Sequence, residues 1–387
     1  MTAPASLVGQ PVDSADTPVP VLDLDAFERN AEAISGFLTG HGLAWRPHVK
    51  AHKSPRLAQL QLKHGAIGVT CAKVSEAEVM VAGGIGHVLV ANQLATPLKW
   101  QRAAALQASA EVIVCVDSMD HVRLAADAAA RAGTRIPLLI EVDIGMTRTG
   151  VRSGGDALAL AAAIADAPGL RLAGVMGYEG HLLKVWPAAE KRARCAAALG
   201  ILTGVAADLL AAGHPVEIVS SGGTGSFQAT ADLPGLTEIQ AGGGCLMDRF
   251  YAEDCHVGLE PALSVLTTVV STQAPGRAVV DAGFKACGNL AGFALPRVLA
   301  GAGLTGADHT GAGHTGAGHT GAGLTVVGLS AEHGILGVSG PPPPVGTPLR
   351  LVPGYSDAML VLHDYLVGYR GELITEIIAM PARGQLT

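Results

Sequence analysis

Eight short apolar runs, each followed by an Ala-rich amphipathic stretch and repeated at nearly constant spacing, constrain this chain more than any other feature. The runs are Leu43 to Lys50, Gly68 to Lys73, His87 to Asn92, Glu111 to Asp117, Ile136 to Asp143, Leu172 to Tyr178, Glu217 to Ser221 and Thr237 to Gln240. They occupy residues 43 to 244 at about 25 residues per unit, the length that a strand, a loop and a helix need together. Strands separated by helices pair in parallel, either in an open doubly wound sheet or in a closed (β/α)8 TIM-type barrel. A count of eight favours the barrel. Ahead of the repeat, Thr17 to Asp25 reads as a strand and Ala26 to Thr39 as a helix.

Beyond about residue 262 strands follow one another without long helices, at Leu263 to Gln273, Ala278 to Asp281, Leu324 to Leu329, Pro348 to Val352 and Tyr365 to Arg370. The predicted organisation is an α/β chain: an N-terminal segment (1–19) packing with the β domain, a barrel (20–261) and a C-terminal β domain (262–387). The β domain carries an insertion at 301–325, a near repeat of Gly-Ala-Gly-His-Thr with His309, His314 and His319 spaced by five. A metal-binding tract is conceivable there, but Gly-rich low complexity buries no core, and a disordered loop is the reading preferred.

The composition excludes several classes. The formal charge of −7 carries no basic cluster, which argues against a nucleic-acid partner. No uncharged apolar stretch reaches the roughly 20 residues of a membrane span, and the N-terminus lacks a signal-peptide pattern, so a cytoplasmic location without membrane partners is expected. Cys71, Cys115, Cys195, Cys245, Cys255 and Cys287 form no CxxC pair and read as reduced core thiols.

Chemistry-bearing residues gather at the C-terminal ends of the predicted strands, where barrels assemble their sites. Lys50 ends the first run in Arg46-Pro47-His48-Val49-Lys50 and is followed by Ala51-His52-Lys53. Neighbouring cations lower an amine pKa, as a Schiff-base lysine requires, although many such lysines are solvated or paired with acids. Ser221-Gly222-Gly223-Thr224-Gly225-Ser226 follows the seventh run and Ala241-Gly242-Gly243-Gly244 the eighth, the pair of positions that commonly binds phosphate through backbone N–H groups. Arg148 is placed to meet an oxyanion or to pair with Asp143 or Glu141. Tyr178 offers a ring for a planar cofactor, and His181 is a candidate general base whose alternative is a solvated loop histidine.

On these residues the chain resembles a fold-type III pyridoxal-phosphate enzyme of the D-threonine aldolase and D-serine dehydratase group, related to alanine racemase. The resemblance runs from about Thr17 to Gly384 and rests on residues 46–53, Gly68 to Glu78, residues 221–226 and Glu332-His333-Gly334. It implies an alanine racemase-like barrel and β domain, with Lys50 as the internal aldimine lysine and Arg148 beside the cofactor's phenolic oxygen. It also implies phosphate held by the glycine loops (Ser221, Gly222, Gly223, Thr224, Gly242, Gly243) and a homodimer with the active site between barrel and β domain. One motif departs from the family. Where a metal-binding histidine is usual, the chain reads Pro353-Gly354-Tyr355-Ser356-Asp357. Asp357 keeps the second ligand position for a divalent ion (Mn, Mg or Zn), but a neutral phenol at Tyr355 is a poor ligand.

The implied reaction is retro-aldol cleavage of a D-β-hydroxy-α-amino acid to glycine and an aldehyde, with His181 or Tyr355 taking the hydroxyl proton. The rivals are dehydration of the same substrates and racemisation with Tyr355 as second acid/base. A noncatalytic cofactor carrier would need little beyond the barrel.

Overall fold

The computed structural model describes residues 5–299 and 323–387, so His309, His314 and His319 lie outside the described residues. The chain forms two compact units: Met1–Asn30 with Cys245–Arg383, and Ala31–Gly244 with Gly384–Thr387. The first strand, β1 (Val19–Asp23), belongs to the former. All eight strands of the repeat belong to the latter: β2 (Ala44–Trp45), β3 (Val69–Cys71), β4 (His87–Val90), β5 (Glu111–Val116), β6 (Ile136–Glu141), β7 (Leu170–Met176), β8 (Ile218–Ser221) and β9 (Glu238–Ile239).

These eight pair in parallel in the order β2-β9-β8-β7-β6-β5-β4-β3. Isolated parallel bridges, Trp45 with Ala66 and His48 with Thr70, join the two ends of that order and close the ring. The expected barrel is the observed one. Leu89, Ile113, Cys115, Leu139, Ala173 and Met176 form a common buried cluster contributed by β4 to β7. Helix starts follow local chemistry: Ser118 accepts His121 N (3.3 Å) to cap Met119–Ala132, and Ser153 accepts Asp156 N (3.1 Å) to cap Gly154–Ala165. The helix Ala188–Ala211 is long and apolar enough by composition to cross a bilayer. It buries Cys195, Leu199, Leu202, Ala206 and Leu209 along one stripe, the pattern of a barrel helix.

The other unit is a nine-stranded mixed sheet of β1 with β10 (Leu263–Ser271), β11 (Arg277–Val280), β12 (Arg297–Leu299), β13 (Leu324–Leu329), β14 (Gly334–Val338), β15 (Pro348–Val352), β16 (Tyr365–Arg370) and β17 (Leu373–Ala379). β1 pairs antiparallel with β10 and parallel with β16, and Val19 and Val21 share a core with Val12, Leu266, Val367 and Ile374. The units therefore join near residues 30 and 244, whereas the sequence suggested 19 and 261. Strands β12, β14 and β17 are additional to those expected. All six cysteines are buried free thiols.

Candidate active site

Lys50 does not end a strand, as the sequence suggested. The strand stops at Trp45, and Lys50 lies in a one-turn 3-10 helix, Val49–Ala51. His48 starts that turn by accepting Lys50 N on its Nδ1, at 3.3 Å. Accepting there requires a nitrogen without a proton. Burial, followed by the charges of Lys50, Lys53, Arg148 and His52, holds the imidazole pKa well below its ordinary value. Next along the turn, His52 accepts Ser54 N on Nδ1 (3.1 Å) and meets Gln61 Oε1 through Nε2 (3.2 Å). Lys53 is buried and ion-paired with Glu76, which is 0% exposed and also accepts Ala72 N and Lys73 N. Withdrawing Lys53 would strand that carboxylate at a cost of about 3–5 kcal/mol. Lys53 is therefore committed to Glu76 and is poorly placed to serve as a Schiff-base lysine.

The two glycine loops meet beside this turn. His48 N donates to Gln240 O (3.1 Å), and a Cβ on Gly242 would overlap the backbone of His48, so only glycine lets the second loop come this close. Gly244 N donates to Thr224 Oγ1 at 3.0 Å, tying the second loop to the first. Residues 221–226 and 241–244 are all buried. Ser221 Oγ and Gly222 N, both expected to face a phosphate, instead donate to Glu179 Oε2 (2.9 and 3.3 Å), and Gly223 N donates to Ser226 Oγ (3.1 Å).

Arg148 sits on a loop that leaves and rejoins the barrel at the Val142–Val151 bridge. Asp143 Oδ1 shapes the loop by accepting Gly145 N (3.0 Å) and Thr147 N (2.9 Å), while Asp117 Oδ2 accepts Gly150 N (2.9 Å). The exposed guanidinium lies 5.9 Å from the Tyr178 ring centroid and 3.8 Å from Glu141 Oε1. Of the two acids considered for Arg148, Glu141 is the one it meets. Glu141 is 3% exposed, accepts Thr149 Oγ1 (2.8 Å) and Gln93 Nε2, and has its pKa raised by burial against these partners. Glu141, Asp143, Arg148, Thr149 and Tyr178 line one pocket. The Tyr178 ring packs against Gly223, where a Cβ would lie 3.0 Å from it, and so links this pocket to the first glycine loop. His181, exposed on the turn Gly180–Leu182, has its Nε2 3.0 Å from where a Cβ on Gly145 would stand.

The barrel residues singled out in the sequence thus surround one mouth. The set fits a phosphate-bearing aldehyde: an amine at the rim, glycine backbone packed against its turn, a ring, and a guanidinium beside that ring. His48, Glu179 and Lys191 were not singled out, although Glu179 stands inside the motif Tyr178-Glu179-Gly180-His181. A buried charge leaves no mark on local sequence.

In the β unit, Tyr355 donates its hydroxyl to Asp357 Oδ2 at 2.8 Å and stacks on Phe293 (centroids 4.3 Å apart, planes 14° apart), with Phe250 edge-on. His363 Nε2 lies 2.8 Å from Ala286 O. Among the described residues no three His, Cys, Asp or Glu side chains converge. With a phenol bonded to the one retained carboxylate, this donor set does not fit a divalent ion.

Comparison with known proteins agrees with the fold and with the resemblance. Residues 22–249 match the model described as alanine racemase, N-terminal domain, and residues 262–369 the putative serine dehydratase domain. The chain is 35% identical to a D-threonine aldolase of Arthrobacter sp., covering 98% of this chain and 96% of that one. It is 34% identical to a 3-hydroxy-D-aspartate aldolase of Paracoccus denitrificans, covering 98% and 95%. The crystal structure of D-threonine aldolase from Filomicrobium marinum superposes with a TM-score of 0.89 at 34% identity, over 98% of this chain and 99% of that one. The chain belongs to the alanine racemase N-terminal domain family, joined here to a serine dehydratase-type domain and similar along its whole length to D-amino-acid aldolases.

Proposed function

We propose that this chain is a pyridoxal-phosphate lyase that cleaves the Cα–Cβ bond of D-β-hydroxy-α-amino acids, D-threonine among them, to glycine and an aldehyde. The observation that carries the reading is the single barrel mouth shared by the Lys50 turn, the two glycine loops and the Arg148–Tyr178 pair. Lys50 is the covalent anchor. Thr224, Gly242 and Gly243 would hold the phosphate, Tyr178 would pack on the ring, and Arg148 would meet its oxygen. When bound, the cofactor supplies the sink for the electron pair released from the Cα–Cβ bond.

The chain's own work is to hold the substrate and to move protons. His181, on the rim against Gly145, accepts the β-hydroxyl proton as the oxygen becomes the aldehyde carbonyl. Arg148, steadied by Glu141, offers its exposed guanidinium to an amino-acid carboxylate. Neutral His48 fixes the Lys50 backbone without adding a second positive charge beside the amine. The Tyr355–Asp357 pair takes no metal-dependent role.

Purified protein reconstituted with pyridoxal phosphate and given D-threonine should release glycine and acetaldehyde in equal amounts. Keto acid with ammonia would reassign the chain to dehydration, and a change of enantiomer without cleavage to racemisation. Lys50→Ala should lose both turnover and the borohydride-fixed cofactor on the peptide spanning residue 50. A reducible adduct that moves to another lysine would overturn the anchor. His181→Asn should lower kcat by about 10²–10⁴-fold while cofactor binding holds.

A further inference from the structure

Glu179 is wholly buried, at 0% exposure, one residue after Tyr178. Its Oε2 accepts Ser221 Oγ (2.9 Å) and Gly222 N (3.3 Å), and its Oε1 accepts Ser226 Oγ. Ser226 Oγ in turn accepts Gly223 N at 3.1 Å. One carboxylate therefore fixes the first three residues of the loop and its sixth, leaving Thr224 and Gly225 at the crest.

Lys191, buried on the helix Ala188–Ala211, donates Nζ to Gly225 O at 2.8 Å. Cys195, one turn further along that helix, feels both charges. Burial first and Glu179 next push its thiol up to about 12, against the opposing effect of Lys191. The acid and the base thus lie under the same stretch of loop, and Thr224 carries the hold across to Gly244 of the second loop.

A loop of small residues has many conformations, and a dianionic ligand selects only those whose N–H groups converge. A carboxylate placed behind such a loop also repels a phosphate in front of it, so a cation beneath the same loop is the expected compensation. Both are present. We infer that Glu179, balanced by Lys191, is a positioning residue that pre-shapes loop 221–226 to receive the cofactor's phosphate. The inference rests on the cofactor reading above.

The test compares affinities of the apo-protein for pyridoxal phosphate and for pyridoxal, which lacks the phosphate, by fluorescence titration. The wild type should prefer the phosphate ester. Glu179→Ala should reduce that preference by about 100-fold and Glu179→Gln by about 10-fold, with pyridoxal affinity within about twofold of wild type. The ³¹P resonance of the bound ester should shift in both variants. A purely structural role would weaken both ligands together; that result, or an unchanged preference, overturns the inference. Should Glu179→Ala fail to fold, Ser226→Ala and Lys191→Met each remove one element of the clamp. Either should cost the preference about 10-fold, and no loss in both refutes the clamp. A wild type that binds neither ligand would overturn the cofactor reading itself, whereas equal preference in wild type and variants would overturn only the role of Glu179.

Discussion

At 1% exposure the Asp248 carboxyl accepts Tyr251 N (2.9 Å) on one oxygen and Ser356 N and Oγ (2.8 and 2.7 Å) on the other. Burial outweighs these bonds, Asp357 adds its charge, and the pKa rises from 3.8 to about 7. An acid held above its unfolded value keeps its proton more tightly when folded. Stability from this group is therefore complete below about pH 4 and falls as pH rises to about 7. At about 1.4 kcal/mol per pH unit the fall is on the order of 4 kcal/mol. Asp248→Asn has no proton to lose, so between pH 4 and 8 its unfolding free energy should gain on the wild type by that amount. A difference independent of pH would remove Asp248 as the source. Residues of this kind set the limit of legibility in the sequence. Lys50, Arg148 and Tyr178 stand in a recognisable motif or at a strand end. Asp248 and Glu179 matter through burial and through partners up to 108 positions away, as between Asp248 and Ser356.

Elements repeat the lesson at a larger scale. The eight barrel runs were legible because buried parallel strands need continuous apolar stretches, and helices between them restore the amphipathic period. Two of the three strands that escaped were short or weakly patterned, since β12 has three residues and β14 contains Gly334 and Gly337, whereas β17 is seven residues long and largely apolar. Strand β7 hides a further device. Leu138 pairs with Leu172 but Leu139 with Gly174, so Ala173 is an extra residue in a bulge. Gly174 has φ +147°, and a Cβ there would overlap the Ile218 carbonyl of β8. The bulge brings Ala173 into the cluster that also holds Leu139 and Met176. Gly174→Ala would have to break β7–β8 pairing or displace β8, which leads directly to Ser221 and the first glycine loop. It should cost about 3 kcal/mol or more in urea unfolding and weaken cofactor binding. A variant as stable as wild type would mean that β8 can shift freely.

For the whole molecule the consequence lies in how the two units share the chain. One is assembled from both ends of the sequence and the other from the middle with residues 384–387, an exchange that no linear boundary describes. A protein with two cores need not unfold in a single transition. Its own chromophores separate the two. Trp45, Trp100 and Trp186 all lie in the barrel unit, whereas Tyr251, Tyr355, Tyr365 and Tyr369 lie in the β unit with only Tyr178 outside it. Tryptophan fluorescence thus reports the barrel, and tyrosine absorbance mainly the sheet. A ligand at 100 times its Kd stabilises the unit that binds it by about 2.7 kcal/mol, or roughly 5–10 °C for a domain of this size. Pyridoxal phosphate should raise the tryptophan-detected midpoint by that much, and Lys50→Ala should remove most of the rise. If the tyrosine midpoint stays behind, each core unfolds on its own; if both move together, the two unfold as one. A tryptophan midpoint that does not move would exclude the barrel mouth as the cofactor's seat, because no ligand can bind the folded barrel preferentially without shifting its unfolding.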